Sequence, residues 1–372
     1  MRILFISNIA GERAVSSFSK VDVLVAKQLG YEFHLAENYN ATSKEAREAD
    51  EVFFGIKTHH IDFYRTPYDP RNIRAFYQVV KLIKTEKIDA IHCNTPIGGV
   101  IGRLAGKKCG IKKIIYQAHG FHFYKGAPLL NWLLYYPIER WLAHYTDAVI
   151  TINQEDFGRA KSFRLRRGGK VYYVPGVGID VSPKAISKQD VIVKREEIGV
   201  SSDAIVLISV GELNKNKNNQ VIIKALKKIG NDNIHYILCG TGPIQHKLQK
   251  MSNNRVHFLG YRTDVNELLA CSDIFVMPSF REGLSRSLME SMAAGLPAVA
   301  SNIRGNTDLI INKDLLCNAR NASEFANVIE KLCNDEELRQ SIGRINQEQV
   351  KKYSYETVQN EIIKVYQDIF KK

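Results

Sequence analysis

Two glutamates, Glu282 and Glu290, have the type and spacing to do chemistry in this chain of 372 residues. The apolar run before Glu282 ends at Pro278 and predicts a buried strand, so we expect Glu282 on the loop that follows it. Apolar residues then recur at helical spacing and place Glu290 about two turns inside a helix. Open α/β sheets bind ligands at this edge. Each carboxylate could bind a hydroxyl group of a sugar or ribose; the alternative is an ordinary helix with one surface glutamate and one near its cap.

The residues between these glutamates could hold an anion. Gly283, Leu284 and Ser285 stand at the expected start of the helix, where main-chain N–H groups lack partners within the helix. Such groups, at the positive end of the helix dipole, suit a phosphate. The segment therefore combines groups for hydroxyls with groups for a phosphate.

The spacing Glu282-x7-Glu290, followed by Ala-Ala-Gly-Leu-Pro-Ala-Val-Ala-Ser, resembles the signature of family 4 of the retaining, nucleotide-sugar glycosyltransferases. The resemblance covers nearly the whole chain and is densest between Leu207 and Ile310. It implies the GT-B fold, an α/β architecture of two Rossmann-like, doubly wound domains that face each other across a cleft. It also implies that Glu290 binds the ribose of a sugar nucleotide and that Glu282 binds the transferred sugar.

The composition is that of an ordinary globular protein with room for two domains, since 45% of the residues are hydrophobic and 24% are charged. Apolar runs stay below the roughly 18 residues of a membrane span. The N-terminal residues predict a first strand and not a signal peptide. Six cysteines without metal-binding spacing indicate reduced thiols in a cytosolic protein.

The net charge of +13 is uneven, because residues 1–180 contain 26 Lys and Arg against 17 Asp and Glu. The densest basic stretch is Arg159–Lys170. A nucleic-acid partner is not expected, since no recognisable nucleic-acid motif accompanies the charge. An anionic membrane surface or an anionic lipid-linked acceptor fits this charge, and a solvated basic face is the alternative.

The alternation of apolar runs with helical patterns predicts parallel βαβ units throughout the chain. We expect one domain over residues 1–178, joined by the breaker-rich segment Val174–Pro183 to a second over 179–355. The resemblance implies that the N-terminal domain is the acceptor side and that the second binds the nucleotide sugar. The resemblance implies that the C-terminal segment 356–372 packs back on the first domain as a helix. The clearest predicted strands are Ile3–Ser7, Ile88–Cys93, Lys113–Gln117, Ala148–Ile152, Ile205–Val210, Ile234–Cys239, Val256–Leu259, Ile274–Met277 and Ala298–Ala300.

The resemblance assigns further donor-binding residues. In the family, Arg typically follows the glycine that matches Gly211, and a lysine five residues later also neutralises the donor diphosphate. Lys217 keeps the second position, but position 212 is Glu, so Lys215 is a candidate replacement for the missing cation.

Two other loops would complete the donor site. Gly240 follows a strand and permits close backbone approach, although a plain turn explains it equally well. The segment that contains Tyr261 and Arg262 is similar to the one whose main chain recognises the base in the family.

In the first domain, His119-Gly120 matches the family element in which the histidine faces the transferred sugar and the acceptor. A buried core histidine is the alternative for His119. His122 and Gly11, the latter on the loop after the first strand, are further acceptor-side candidates. The aromatic and apolar segment 127–145 is expected to be mostly a buried core helix, with an exposed edge that could dock at a bilayer.

The resemblance implies a metal-independent hexosyltransferase that moves a sugar from a nucleotide diphosphate sugar to a glycan or polyprenyl-linked acceptor in cell-surface polysaccharide synthesis. UDP-hexose or UDP-N-acetylhexosamine is the expected donor. The chain contains no Asp-x-Asp motif for a divalent ion, and no cofactor is expected because the sugar nucleotide is a substrate. The expected location is cytoplasmic, with peripheral association at the inner face of the plasma membrane. A GT-B sugar-nucleotide epimerase and a non-catalytic sugar-nucleotide-binding subunit are the alternatives.

Overall fold

The structure, a computed structural model, describes residues 1–66, 69–182 and 186–371, without the side chain of Ile9. Pro183, at the end of the predicted linker, and Lys372, at the end of the predicted C-terminal segment, lie outside the described residues. The chain divides into two compact units. The first comprises Met1–Gly178 together with the segment from Tyr355, and the second comprises Ile179–Ser354.

The first unit contains a parallel sheet whose described strands run in the order β3-β2-β1-β4-β5-β6-β7. Its strands are β1 (Arg2–Ile9), β2 (Glu32–Asn38), β3 (Lys57–His60), β4 (Ala90–Asn94), β5 (Lys113–Ala118), β6 (Ala148–Thr151) and β7 (Lys170–Tyr173). Its helices before the second unit are α1 (Lys20–Gln28), α2 (Lys44–Phe54), α3 (Asn72–Thr85), α4 (Pro96–Lys108), α5 (Leu129–Ala143) and α6 (Gln154–Ala160).

Both faces of this sheet are covered by apolar side chains. Along β1, Leu4 and Ile6 belong to one apolar cluster, whereas Ile3 and Phe5 belong to another. Successive side chains of a strand point to opposite faces, so these clusters are the two layers between sheet and helices.

The second unit contains a parallel sheet whose described strands run in the order β10-β9-β8-β11-β12-β13. Its strands are β8 (Ile205–Val210), β9 (Ile234–Cys239), β10 (Val256–Gly260), β11 (Ile274–Met277), β12 (Ala298–Ser301) and β13 (Leu316–Cys317). Its helices are α7 (Lys188–Glu197), α8 (Gln220–Ile229), α9 (Gln245–Met251), α10 (Val265–Ala270), α11 (Arg286–Ala293), α12 (Asn306–Leu309), α13 (Ala322–Cys333) and α14 (Glu336–Val350). The prediction of two doubly wound α/β domains is therefore confirmed.

Each sheet reverses its strand order at one place. In the first unit β1 lies between β2 and β4, and in the second unit β8 lies between β9 and β11. At such a switch point the loops leave the sheet in opposite directions and open a crevice at the carboxyl ends of the strands. The fold thus marks one crevice in each unit as a place for ligands.

The C-terminal helix α15 (Tyr355–Phe370) belongs to the first unit, where it packs against α1. Its buried face contributes Val358, Ile362 and Tyr366 to the apolar cluster beneath β1. The Tyr366 hydroxyl lies 2.8 Å from Nδ1 of His92 on β4. This contact joins the end of the chain to the middle of the first sheet.

The expectation of a mostly buried core helix over residues 127–145 is wrong. Helix α5 buries Glu139, Leu142 and Ala143, while most of its large apolar side chains are exposed. The inward side also contains part-buried aromatic residues that pack on the core, and its acid Glu139 forms a buried ion pair with Arg103 of α4, so the remaining apolar residues lie on the solvent side. Within the described residues, no helix has the length and apolarity needed to cross a membrane.

Candidate functional site

The switch point of the second unit holds an ion pair between two predicted site residues. Nζ of Lys217, on the loop after β8, lies 2.8 Å from Oε1 of Glu282, on the loop after β11. The Lys217 side chain remains 22% exposed and the Glu282 side chain 14% exposed, so a ligand can reach both. A small pocket beside Lys217 is lined by the ends of β8 and β11, including Ser209, Gly211 and Ser279. The fold therefore brings together residues that lie 65 positions apart.

Two asparagines fasten these loops to each other. Asn216 accepts a hydrogen bond from the Phe280 main-chain N–H at 2.8 Å and donates from Nδ2 to the Arg281 carbonyl at 2.9 Å. Asn218 donates from Nδ2 to the Pro278 carbonyl at 3.0 Å and has a positive φ of 54°. Positive φ is uncommon for a residue other than glycine and often marks a functional loop. The sequence analysis did not single out these asparagines, although Asn is enriched in such conformations.

Gly211 and Gly240 are close to each other because neither has a side chain. A Cβ on Gly240 would lie 2.1 Å from the Gly211 carbonyl oxygen, and φ of Gly240 is +140°. A Cβ on Gly211 would lie 3.2 Å from Cε of Lys217, so the lysine stem passes over this glycine. The geometry explains why glycine is needed at both positions of the crevice.

The second glutamate, Glu290, lies closer to the helix start than predicted, because α11 begins at Arg286. Ser285 is the N-cap, and its hydroxyl accepts a hydrogen bond from the Leu288 N–H at 3.3 Å. Glu290 accepts a hydrogen bond from Arg286 at 2.9 Å. Burial raises the pKa of Glu290, and the attraction of Arg286 opposes that rise. A half-buried carboxylate thus lies one turn from the start of α11, after the loop that contains Gly283 and Leu284.

The remaining donor-side candidates lie on neighbouring loops. Tyr261 follows β10 and is 74% exposed, whereas Arg262 pairs with Asp264 at 2.6 Å and with Glu197 at 2.9 Å. The ion pairs hold the side chain of Arg262, so its main chain is the part left for recognition. Lys215 is exposed on the Lys217 loop and has no ion pair within the ranges that the structure describes.

One cation near Glu282 was missed by the sequence analysis. Nε of Arg304, on the loop after β12, donates to the Glu282 carbonyl oxygen at 3.2 Å. The next residue, Gly305, comes so close to the Gly283 carbonyl that a Cβ would lie 2.4 Å from it. Arg304 therefore adds positive charge beside the Glu282 loop, in a crevice whose other loop carries the acid Glu212. The signal available in the sequence was an Arg-Gly pair on the short loop after a strand.

In the first unit, His119 follows β5, and both ring nitrogens are buried without a hydrogen-bond partner among the described residues. Burial lowers the pKa of His119 to about 4, so the ring is neutral at pH 7. The ring of Phe18 packs edge-on against it, with centroids 5.2 Å apart. Buried polar atoms without partners are rare and mark sites where a ligand can bind.

The loop after His119 is held by an acid that the sequence analysis did not consider. Gly120 has a φ of +139°, and the next main-chain N–H, that of Phe121, donates to Asp156 at 3.0 Å. Nδ2 of Asn153 also donates to Asp156, at 2.8 Å. The ring of His122 packs against Tyr135 at a centroid distance of 4.7 Å. Asp156 is therefore a positioning residue for the His119 loop.

Gly11 lies at the switch point of the first unit, on the loop between β1 and α1. It is exposed, no atom lies within 4 Å of an added Cβ, and its carbonyl accepts from the Thr42 hydroxyl at 2.6 Å. Across the crevice, Thr95 has a positive φ of 62°, and its hydroxyl donates to Asn8 at 2.9 Å. Thr95 and Asn8 are further polar candidates at this edge. The Gly11 loop and His119 share it, since Phe18 ends that loop.

The described side chains contain no group of three His, Cys, Asp or Glu residues placed to hold a metal ion. What the crevices offer is cations, free main-chain groups and carboxylates in the second unit, and a neutral imidazole in the first. Cations and helix amides bind phosphate, and carboxylates bind hydroxyl groups. The groups of the second unit by themselves suit a phosphorylated sugar compound.

Comparison with known protein families gives two matches. Residues 190–349 match the model described as Glycosyl transferases group 1, and residues 3–153 match the model described as Glycosyl transferase 4-like. EpsD of Bacillus subtilis, named as a glycosyltransferase, is 36% identical over 352 residues, which cover 91% of this chain and 90% of that protein. An Escherichia coli UDP-Gal:alpha-D-GlcNAc-diphosphoundecaprenol alpha-1,3-galactosyltransferase is 27% identical over 281 residues, 72% of each chain.

Solved structures share the fold. HepE of Anabaena, solved in complex with UDP and glucose, has a TM-score of 0.79 and 19% identity, with 99% of this chain and 100% of that chain covered. WaaG, a glycosyltransferase involved in lipopolysaccharide biosynthesis, has a TM-score of 0.75 and 15% identity, with both chains fully covered. At these identities the similarity shows the fold alone, which is GT-B with two Rossmann-like domains.

Proposed function

Because this chain belongs to the group 1, family 4 type glycosyltransferases, we propose that it transfers a sugar from a nucleotide diphosphate sugar to a glycan or lipid-linked acceptor, with retention of anomeric configuration. The observation that carries this proposal is the Lys217–Glu282 contact at the switch point of the second unit. It pairs a cation for a diphosphate with a carboxylate for sugar hydroxyls.

The donor diphosphate binds beside Lys217 and the start of α11. Lys217 is paired with Glu282 in the free protein, so an entering diphosphate takes the ammonium group and releases the carboxylate. Glu282 then accepts hydrogen bonds from the sugar, while the main chain of Gly283, Leu284 and Ser285 faces the phosphate. A charge-assisted hydrogen bond of this kind contributes about 1.5–3 kcal/mol.

The other loops of the second unit fit the rest of the donor. Glu290 binds the ribose hydroxyls, and the main chain at Tyr261 and Arg262 contacts the base. Arg304 compensates in part for the acid at position 212, because its guanidinium lies against the Glu282 loop. Gly240 lets the nucleotide approach the main chain closely. The complexes of HepE with UDP and with UDP-glucose support uracil as the base and a UDP-hexose as the donor, and UDP-N-acetylhexosamine is the other proposed donor.

The chemical step needs neither a metal ion nor a cofactor in this proposal. The bond between the anomeric carbon and the diphosphate oxygen breaks, and the acceptor oxygen forms its bond on the same face of the sugar. The acceptor proton passes to the departing phosphate. Lys217 and the amides at the start of α11 stabilise the negative charge that develops on that phosphate.

Residues of the first unit serve the sugar and the acceptor. The neutral ring of His119 has two unused nitrogens, which can donate to one hydroxyl group and accept from another. Gly120 and His122 shape the same loop, and Gly11 lies on the neighbouring one. The E. coli relative is named for a diphosphoundecaprenol-linked sugar, which supports a polyprenyl-linked acceptor here. Because such a lipid is anchored in a membrane, the proposed site of action is the cytoplasmic surface of the membrane.

Transfer assays with purified protein test this function. UDP-, GDP-, ADP- and CMP-sugars are supplied with EDTA and a polyprenyl diphosphate sugar as acceptor, and the product linkage is determined by NMR. Glu282→Gln should lower kcat about 100-fold, since the sugar is no longer held in place. The control Glu337→Gln, on an exposed turn of α14, should retain wild-type rates. Sugar-nucleotide turnover without an acceptor would instead identify an epimerase, and wild-type transfer by Glu282→Gln would refute the site.

A further inference from the structure

Helix α5 is apolar on two sides, because Leu142, Ala143 and part-buried aromatic side chains face the interior beside Glu139, while further large apolar side chains face solvent. Its exposed apolar residues are Leu129 (74% exposed), Leu130 (63%), Leu133 (64%), Leu134 (38%), Ile138 (41%) and Trp141 (49%). On a regular helix with 100° between residues, these positions fall on one continuous side. Such a concentration of large apolar side chains on one exposed face is unusual and marks an interaction surface.

The interior contacts of α5 prevent the helix from turning this face inward. Glu139 accepts two hydrogen bonds from Arg103, at 2.8 and 3.1 Å. The Arg103 guanidinium also stacks on the ring of Tyr116, 3.8 Å from its centroid. Rotating the helix would bury its apolar residues only by leaving the charge of Arg103 unpaired, which is costly. The ion pair between Arg103 and Glu139 therefore keeps the apolar face of α5 on the solvent side.

Basic side chains surround the apolar face. Arg140 and Lys125 are exposed at its edge and ahead of its first turn. Nζ of Lys107 lies 3.9 Å from the ring of Tyr145, which in turn packs against Trp141. Residues 103–170 contain 13 Lys and Arg against 4 Asp and Glu, and so account for +9 of the net charge of +13.

Another exposed apolar pair lacks this setting. Val52 and Phe53, at the end of α2, are 86% and 71% exposed, but α2 carries the acids Glu45, Glu48 and Glu51. Apolar side chains ringed by cations suit an anionic lipid surface, whereas apolar side chains beside acids do not. The pair on α2 is therefore a matched control for the face on α5.

We propose that α5 lies in the interface of an anionic bilayer, with Leu130, Leu133 and Trp141 below the headgroups and Arg140 among the phosphates. The helix is too short to span a bilayer, and tryptophan with flanking cations is typical of interfacial helices. The binding does not depend on donor chemistry, so it stands or falls separately from the sugar-transfer proposal.

Co-sedimentation with vesicles tests the proposal. The full chain should bind phosphatidylcholine vesicles that contain 30% phosphatidylglycerol more tightly than pure phosphatidylcholine vesicles. The double variant Leu130→Gln/Leu133→Gln should lower the partition coefficient at least tenfold, because each leucine loses its apolar burial. The control Val52→Gln/Phe53→Gln should bind like the wild type. Arg140→Gln should weaken binding about fivefold at low salt. The difference from the wild type should be smaller at high salt, because salt screens the attraction to the headgroups.

The two tryptophans supply an independent readout of insertion. Trp132→Phe leaves Trp141 as the single tryptophan of the chain, which can be excited selectively at wavelengths above the tyrosine absorption band. Its emission should shift to the blue on anionic vesicles and be quenched by lipids brominated along the acyl chain. A protein that co-sediments without either change adsorbs by charge alone, and this outcome would overturn the proposal.

The remaining occupant of the face would be a second copy of the chain. Sedimentation velocity without lipid should show a monomer for the wild type and for Leu130→Gln/Leu133→Gln. A wild-type dimer that dissociates in this variant, together with equal vesicle binding by both, would assign the face to self-association and refute the bilayer. UDP-sugar affinity serves as the control for folding. If Leu130→Gln/Leu133→Gln binds UDP-sugar as tightly as the wild type does, its second unit is intact.

Discussion

Replacing Glu139 with alanine should destabilise the first unit strongly, because the change leaves Arg103 charged and buried. Arg103 is only 1% exposed, and its Nε also donates to the Gly99 carbonyl at 2.8 Å. Burial alone would lower the pKa of Arg103, but the attraction of Glu139 outweighs it, and the pKa is raised. Arginine is not deprotonated in proteins even when it is buried, so the guanidinium stays charged when its partner is removed.

The size of the effect follows from the burial of the pair. Removing one partner of a buried ion pair costs about 3–5 kcal/mol, whereas an exposed pair contributes about 0–1 kcal/mol. With a urea dependence of about 3 kcal/mol per molar for a domain of this size, the unfolding midpoint should fall by about 1–2 M. The double variant Arg103→Met/Glu139→Leu should unfold near the wild-type midpoint, because no unpaired charge remains.

Tryptophan fluorescence measures this transition in the first unit alone, because Trp132 and Trp141 both lie on α5 and the chain has no other tryptophan. Glu361→Ala, which breaks the exposed pair with Lys364 in the same unit, serves as the control. Its midpoint should stay within about 0.3 M of the wild type. An equally small shift for Glu139→Ala would refute the claim that the ion pair fixes α5.

Three further predictions concern other residues. Phe18→Ala should raise the pKa of His119 from about 4 toward its usual 6.5, because the ring gains access to water, and an NMR titration of the imidazole carbon checks this. Burial raises the pKa of Asp22 from 3.8 to about 8, so the folded state holds a proton that the unfolded state releases. Stability should then fall as pH rises from about 4 to 8, and urea midpoints of Asp22→Asn should lack this part of the slope. Gly240→Ala should abolish UDP-sugar binding in calorimetry, since its Cβ would collide with a neighbouring carbonyl, while Gly158→Ala, with open space around it, should leave binding unchanged.

The strands that the sequence predicts best are short apolar runs between breakers. The predicted bounds of β8, β9 and β11 agree with the structure, since such runs suit strands buried on both faces. Strands β2 and β3 were not predicted, because they carry His34, Glu37 and the polar run Lys57–His60. These two segments form strands because β2 packs beside β1 and β3 is hydrogen-bonded at the edge of the sheet.

Helix α5 shows the limit of reading burial from hydrophobicity. Its composition suits either a core or an exposed interfacial face, and the pairing that decides between them joins positions 103 and 139. A single acid within an apolar helix was the available signal, and it indicated the inward side.

The same reasoning applies to the functional site. Strand ends and glycines identified the loops of Lys217 and Glu282, but the direct contact between these side chains depends on strand order, which local patterns do not give. Asp156 and Arg304 were missed for the same reason, since each acts on a loop distant in sequence.

Calorimetric titration of UDP-sugars into the protein with EDTA present tests the donor site at the second switch point most directly. The wild type should bind one donor, and Lys217→Met should bind it about tenfold to a hundredfold more weakly, with a smaller dependence on salt. Lys227→Met, which removes an exposed lysine from α8, should bind like the wild type. Equal donor affinity for Lys217→Met and the wild type would contradict the placement of the diphosphate beside Glu282.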